Sequence, residues 1–174
     1  MSVISIRCAD SSDSAALAEF AARTFSDTFA ALNTADDMAA HLRGAYSPEL
    51  QRAEIESAQM RTLLGERAGR LCAYAQLREG KTPGCVPPSR TIELWRFYVD
   101  KSEIGSGTAH TLMAAVFDDA QKRGAQTIWL GVWQHNLRAI AFYRKHGFRD
   151  IGNHVFLLGN DEQTDLIFFR PLAA

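Results

Sequence analysis

The stretch Phe97-Tyr98-Val99, Gly105-Ser106-Gly107-Thr108-Ala109 and, further on, Asn136 with Ala139-Ile140-Ala141-Phe142-Tyr143-Arg144-Lys145-His146-Gly147-Phe148 decides how this chain is read. Phe97 to Val99 end an apolar strand, and two glycines one residue apart open a helix. Strand, turn and helix in that order build an anion cradle. Gly105 and Gly107 admit positive φ and a close approach of backbone to ligand, while Ala109 keeps the first helical turn slim. The amides of residues 105 to 109, Ser106 and Thr108 included, then face an anion with the helix dipole behind them, and a pyrophosphate is the natural guest. A glycine pair can equally do no more than shape a turn. Two other phosphate motifs fail here. A dinucleotide fold wants a small residue at position 110 and an acidic one closing the next strand, where the chain has His110 and Gln134-His135-Asn136; a Walker loop needs a Gly-Lys-Ser/Thr that does not follow.

Working outward, Ile92 to Val99 is predicted as a strand, Gly107 to Arg123 as a helix burying Leu112, Met113, Val116, Phe117 and Ala120, and Gln126 to Trp133 as the next strand. Leu137 to His146 follows as a helix stopped at Gly147. Upstream, Val3 to Cys8 alternates as a strand, and Asp10-Ser11-Ser12-Asp13 caps a helix through about Ala31. Thr34 with Asp37 resembles a capping box, and Ser47-Pro48 is a cap followed by proline at the first helical position. Met60 to Glu66 and Arg70 to Arg78 read as a hairpin, Gly80 to Arg90 as a loop, and His154 to Leu158 with Thr164 to Arg170 as a closing hairpin. This order predicts a mixed α/β sheet in which the crossover between residues 92 and 133 joins parallel neighbours.

With 174 residues, 47% hydrophobic and 22% charged, the chain is expected to form one domain over residues 1–174. A net charge of −1 provides no global basic field, so neither nucleic acid nor a membrane surface is an expected partner. Cys8, Cys72 and Cys85 lack metal-ribbon or redox spacing and read as reduced thiols, no histidine or cysteine pair has metal-ligand spacing, and the N-terminus lacks a signal-peptide pattern. A cytoplasmic protein without a metal is expected.

The glycine turn, Asn136, Tyr143 and Gly147-Phe148 together resemble the acetyl-CoA-dependent N-acetyltransferases of the GNAT superfamily. Their Gln/Arg-x-x-Gly-x-Gly/Ala pattern runs here from Ile104 to Ala109, with Ile104 departing from the usual polar residue. Across almost the whole chain the likeness narrows to the bacterial PaiA-type polyamine acetyltransferases, carried by Thr24-Phe25 with Thr28-Phe29, Asn33-Thr34 with Asp36-Asp37-Met38, Ile128-Trp129-Leu130-Gly131-Val132-Trp133, Gly152-Asn153-His154 and Gln163-Thr164-Asp165. The resemblance implies a mostly antiparallel sheet of about seven strands, helices on both faces and a splayed parallel pair. It implies acetyl-CoA as co-substrate, held along Phe97, Tyr98 and Val99, at Ile104 to Ala109 and beside Asn136 and Arg138, with Lys145 near the ribose phosphate. A monomer or homodimer is compatible with it.

The implied acceptor is a primary amine such as spermidine, or alternatively a protein N-terminus or lysine; a coenzyme-binding sensor without turnover is the reading from another class. An amine with a pKa near ~10.4 is mostly protonated at pH 7, so a base or water chain is needed. Glu93 matches the place of a base in several family members and, counted by twos, shares a pleat face with Trp95, Phe97 and Val99. The alternative for Glu93 is an ion pair with an arginine in the sheet. Tyr143 is the expected general acid for the departing thiolate. Phe25, Phe29, Trp95 and Trp133 are expected to wall the acceptor, with Asp27, Asp36, Asp37 or Glu49 available to a second, distant ammonium.

Overall fold

The computed structural model describes residues 3–172. One seven-stranded sheet organises it, in the spatial order β1-β2-β3-β4-β5-β7-β6. The strands are β1 (Ile4–Cys8), β2 (Met60–Arg67), β3 (Arg70–Arg78), β4 (Thr91–Val99), β5 (Thr127–Trp133), β6 (Arg149–Leu158) and β7 (Asp161–Pro171). Every neighbouring pair is antiparallel except β4 with β5. The helices are α1 (Ser14–Phe29), α2 (Ala35–Ala45), α3 (Pro48–Glu56), α4 (Thr108–Lys122) and α5 (Leu137–Lys145). The mixed sheet, the parallel crossover and the helices on both faces agree with the expectation.

Local chemistry sets the helix starts. The Thr34 and Ser47 hydroxyls accept from the amides of Asp37 and Leu50, each at 3.2 Å, and Pro48 occupies the first position of α3. The segment foreseen as one helix to Ala31 is divided, with 3₁₀ turns at Ser11–Asp13 and Ala30–Leu32 flanking α1. The closing hairpin is longer than its apolar alternation suggested. β6 begins at Arg149 because Arg149 and Asp150 pair with Phe169 and Phe168 even though both are exposed and carry no hydrophobic pattern.

Two apolar layers sandwich the sheet. Leu112, Met113 and Val116 of α4 and Ile140 and Tyr143 of α5 pack on Ile92, Leu94, Ile128, Leu130 and Phe168. On the other face Leu17, Phe20, Ala21 and Phe25 of α1 and Met38 of α2 pack on Leu64, Tyr74 and Leu158. No helix among the described residues is long and apolar enough to cross a membrane, and Cys8, Cys72 and Cys85 are free thiols.

One irregularity corrects the sequence reading. In the β3–β4 ladder Gln76 pairs with Arg96 and Leu77 with Leu94, which leaves Trp95 as the extra residue of a β-bulge. A bulge shifts the alternation by one. Ile92 and Leu94 before it, and Phe97 and Val99 after it, all meet the α4–α5 layer. Glu93 therefore shares the opposite face with Arg96 and Tyr98, not with Phe97 and Val99 as counting by twos had it.

Candidate active site

The parallel register between β4 and β5 covers Thr91 with Thr127, Ile92 with Ile128 and Glu93 with Trp129, and ends there. Beyond it the strands diverge, and two cavities meet at the gap. One, of about 380 Å³, lies against the α4 and α5 side; the other, of about 270 Å³, lies on the α1–α2 face. Phe97, Tyr98, Asn136, Ala139 and Tyr143 border both. The two cavities share a wall at these residues.

The turn into α4 forms one wall of the larger cavity. Gly105 and Gly107 have φ of 82° and 86°, and a Cβ built on either meets nothing within 4 Å. The left-handed backbone favours glycine, and the open space in front of it leaves room for a ligand to approach the main chain. Two of the five amides are already engaged, Ser106 N–H donating to the Glu103 carbonyl at 3.1 Å and Thr108 N–H to Ser106 Oγ at 3.3 Å. Beneath the turn lies an ion-pair network that the sequence did not disclose. Arg67 Nε reaches both oxygens of Glu103 at 3.2 and 3.1 Å, and the Ser106 and Thr108 hydroxyls donate to Glu103 Oε2 at 3.0 and 2.8 Å. The Thr108 hydroxyl foremost, then Ser106 and Arg67, hold the Glu103 carboxyl below its ordinary range despite burial.

Asn136 caps α5, its Oδ1 accepting from the Ala139 amide at 3.1 Å. Capping explains an asparagine at the helix start, and the same position places it at the junction of the cavities. Tyr143, one helix later, is only 8% exposed and is held edge-on by Phe97 and Phe148. Burial alone raises its phenol well above the ordinary value, with no charge or hydrogen bond opposing it. The group keeps its proton at any physiological pH.

A profile of the GNAT acetyltransferase family matches residues 24–148. The chain belongs to that family. It is 29% identical over 149 residues, 86% of each chain, to an uncharacterized N-acetyltransferase of the pepI 3′ region of Lactobacillus delbrueckii subsp. lactis. It is 28% identical over 127 residues, 71% of this chain and 82% of the other, to the ribosomal protein bS18-alanine N-acetyltransferase of Escherichia coli. The fold superposes on the PaiA N-acetyltransferase of Thermoplasma acidophilum, solved in complex with coenzyme A, with a TM-score of 0.81 at 22% identity, covering 97% of this chain and 99% of that one.

Within this GNAT fold the sequence-predicted residues separate clearly. Phe97, Tyr98 and Val99 of β4, Ile104, Gly105, Gly107 and Ala109 of the turn, and Asn136, Arg138 and Tyr143 at α5 all line the larger cavity. The side chains of Ser106 and Thr108 do not; they turn inward onto Glu103. Lys145, at the end of α5, is exposed and outside the lining. His110, predicted only as an obstacle to a dinucleotide motif, joins the cavity wall with Nδ1 2.9 Å from His146 Nε2.

Phe25, Phe29, Trp95 and Trp133 come together around the smaller cavity with Glu93, and Trp95 is flanked by the guanidinium groups of Arg78 and Arg96. Glu93 is bound by Arg78 through Nε and, at 3.2 Å, through Nη2, so the ion pair weighed from the sequence exists. Burial nevertheless raises its carboxyl above the ordinary value, opposed by Arg78. The carboxylates foreseen for a distant ammonium are elsewhere. Asp27 pairs with Lys101 and Arg23, Asp37 accepts from the Asn160 amide, and neither these nor Asp36 and Glu49 line the cavity. Asp165 and His154, placed opposite each other by the β6–β7 register, occupy that wall instead. Sequence alternation could find Asp165 on a strand, but not which strand it faces.

Proposed function

We propose that this GNAT acetyltransferase moves the acetyl group of acetyl-CoA to a primary amine, a polyamine such as spermidine, by direct attack at the junction of the two cavities. The single observation that carries the reading is that junction: Tyr143 and Asn136 border both spaces where β4 and β5 part. The larger space suits the coenzyme, with Phe97 to Val99 offering strand edge to the pantetheine arm and the free amides of the glycine turn facing the diphosphate. Arg138 stands at its wall, and Lys145 lies outside the lining. Ile104, 54% exposed beside the turn, adds apolar contact and no polar one.

The acceptor enters as an ammonium and must lose a proton before its lone pair attacks the thioester carbonyl carbon. Glu93, desolvated on the acceptor wall, takes that proton directly or through water. As the carbon–sulfur bond breaks, the Tyr143 hydroxyl gives its proton to sulfur. Burial makes the phenol a weaker acid, and the same exclusion of water raises the basicity of the departing thiolate, so proton delivery to sulfur depends on both groups sharing one desolvated site. Cytoplasmic residence fits a reaction that draws on acetyl-CoA.

A second reading, acetylation of a protein N-terminus, is favoured by the likeness to the bS18-alanine enzyme; an acyl-CoA sensor without turnover is the third. Thiol release from acetyl-CoA, measured with diamines, monoamines and peptides, separates all three. Tyr143→Phe is expected to lower kcat about 10²-fold while calorimetric affinity for coenzyme A stays within twofold. A wild-type rate in that variant removes the acid role.

A further inference from the structure

The smaller cavity is lined by four charged side chains, Arg78, Glu93, Arg96 and Asp165, and the first three are held by close hydrogen bonds. Glu93 is bound by Arg78, and Arg96 donates to Glu54 at 2.7 Å and to Gln76 at 2.7 Å. Asp165 differs. Its one neighbour among these groups is the His154 imidazole, with Nε2 3.8 Å from Oδ2, a long contact rather than a close hydrogen bond. Its side chain is only 15% exposed. Carboxylates withdrawn from water are normally hydrogen-bonded or paired, and this one faces a cavity instead.

Its place in the sheet is informative. Leu166 and Phe168 meet the α4–α5 layer, so Asp165 and Ile167 project to the opposite face, away from the layer that holds Tyr143. Gly131, on the facing strand β5, has no side chain where one would fill the cavity: a Cβ there would stand 3.3 Å from Asp165 Oδ2 and 3.2 Å from His154 Nε2. Phe29 and Trp133, their ring centroids 5.9 Å apart, line the same cavity. The cavity therefore brings together Tyr143, an aromatic pair and a carboxylate held only by a long contact to His154.

We propose that Asp165 is the specificity-determining residue of the acceptor site, binding a second cationic group of the substrate while the reactive amine lies at the strand gap. The acceptor class is thus a diamine or longer polyamine with an aliphatic spacer. This inference rests on the acetyltransferase reading above. Arg78, Arg96, Glu93, His154, Tyr98 and Tyr143 are the other charged or titratable groups of this cavity; the arginines are drawn off by Glu93 and Glu54, which leaves the carboxylate open to an incoming ammonium.

The test compares 1,4-diaminobutane with butylamine in steady-state kinetics of the full chain, wild type against Asp165→Asn. Wild type should prefer the diamine. The variant should raise KM for 1,4-diaminobutane tenfold or more with kcat within twofold, and leave butylamine kinetics and coenzyme A affinity within twofold. Equal losses on both amines, or no change on either, overturn the proposal. Gly131→Ala keeps the charge but places a methyl against it, and should likewise weaken the diamine more than butylamine; an equal effect on the two counts against the subsite. A wild-type protein that binds coenzyme A and acetylates no amine ends the underlying acetyltransferase reading itself, and is told apart from failure of the subsite by silence on butylamine as well.

Discussion

At the scale of single residues, the site combines groups whose protonation is set by burial. Tyr143, Glu93 and Asp165 are all shifted upward, because each loses water and none gains enough compensation. For Asp165 the shift has a consequence for stability with a definite sign. A carboxyl whose folded pKa lies above its unfolded value near ~3.9 binds more protons folded than unfolded, so its contribution is fully present below that value and is lost as pH rises through the folded one. Asparagine does not titrate. Thermal melts should therefore show Asp165→Asn gaining on wild type as pH rises from 4 to 8, with the advantage absent at the acid end. A difference independent of pH, or wild type the more stable at pH 8, contradicts the desolvated carboxylate. Tyr143 was named from the sequence through the family resemblance and its spacing from Asn136 and Gly147-Phe148, and it lines both cavities. Asp165 was not legible in this way, since its significance arises from Gly131 and His154 on two other strands.

At the scale of elements, two local features make the site. The turn before α4 must be left-handed at Gly105 and Gly107, and the Arg67–Glu103 pair braces it from below through Ser106 and Thr108. Gly107→Ala should cost about 1 kcal/mol of stability from the backbone alone, because nothing protein-borne meets the new methyl. It should weaken coenzyme A binding by more than that, because the methyl enters the ligand's space. Urea denaturation and calorimetry on the same variant check both; affinity equal to wild type would mean that the turn is not the diphosphate site. The bulge at Trp95 is the other feature. It moves Glu93 to the acceptor face while keeping Phe97 and Val99 on the face of α5. Strand periodicity cannot reveal it, since the composition of Thr91–Val99 is that of an unbroken strand, and the extra residue becomes visible only in the pairing with β3. The helix caps at Thr34 and Ser47 were readable for the opposite reason: each acts on an amide three residues away.

At the scale of the molecule, a parallel pair that is hydrogen-bonded at one end and parted at the other converts a continuous sheet into two communicating cavities. The strand–turn–helix order foretold the parallel crossover, but the gap itself depends on β7 filling the far side of β5 along all seven of its residues. That pairing fixes β5 while β4 follows β3. The bound coenzyme would occupy the gap as an added strand edge. The crystal structure of the protein with coenzyme A tests this most directly. The account predicts the diphosphate on the backbone amides around Gly105 and Gly107 and the sulfur beside the Tyr143 hydroxyl, whereas coenzyme lodged away from the β4–β5 gap would contradict it.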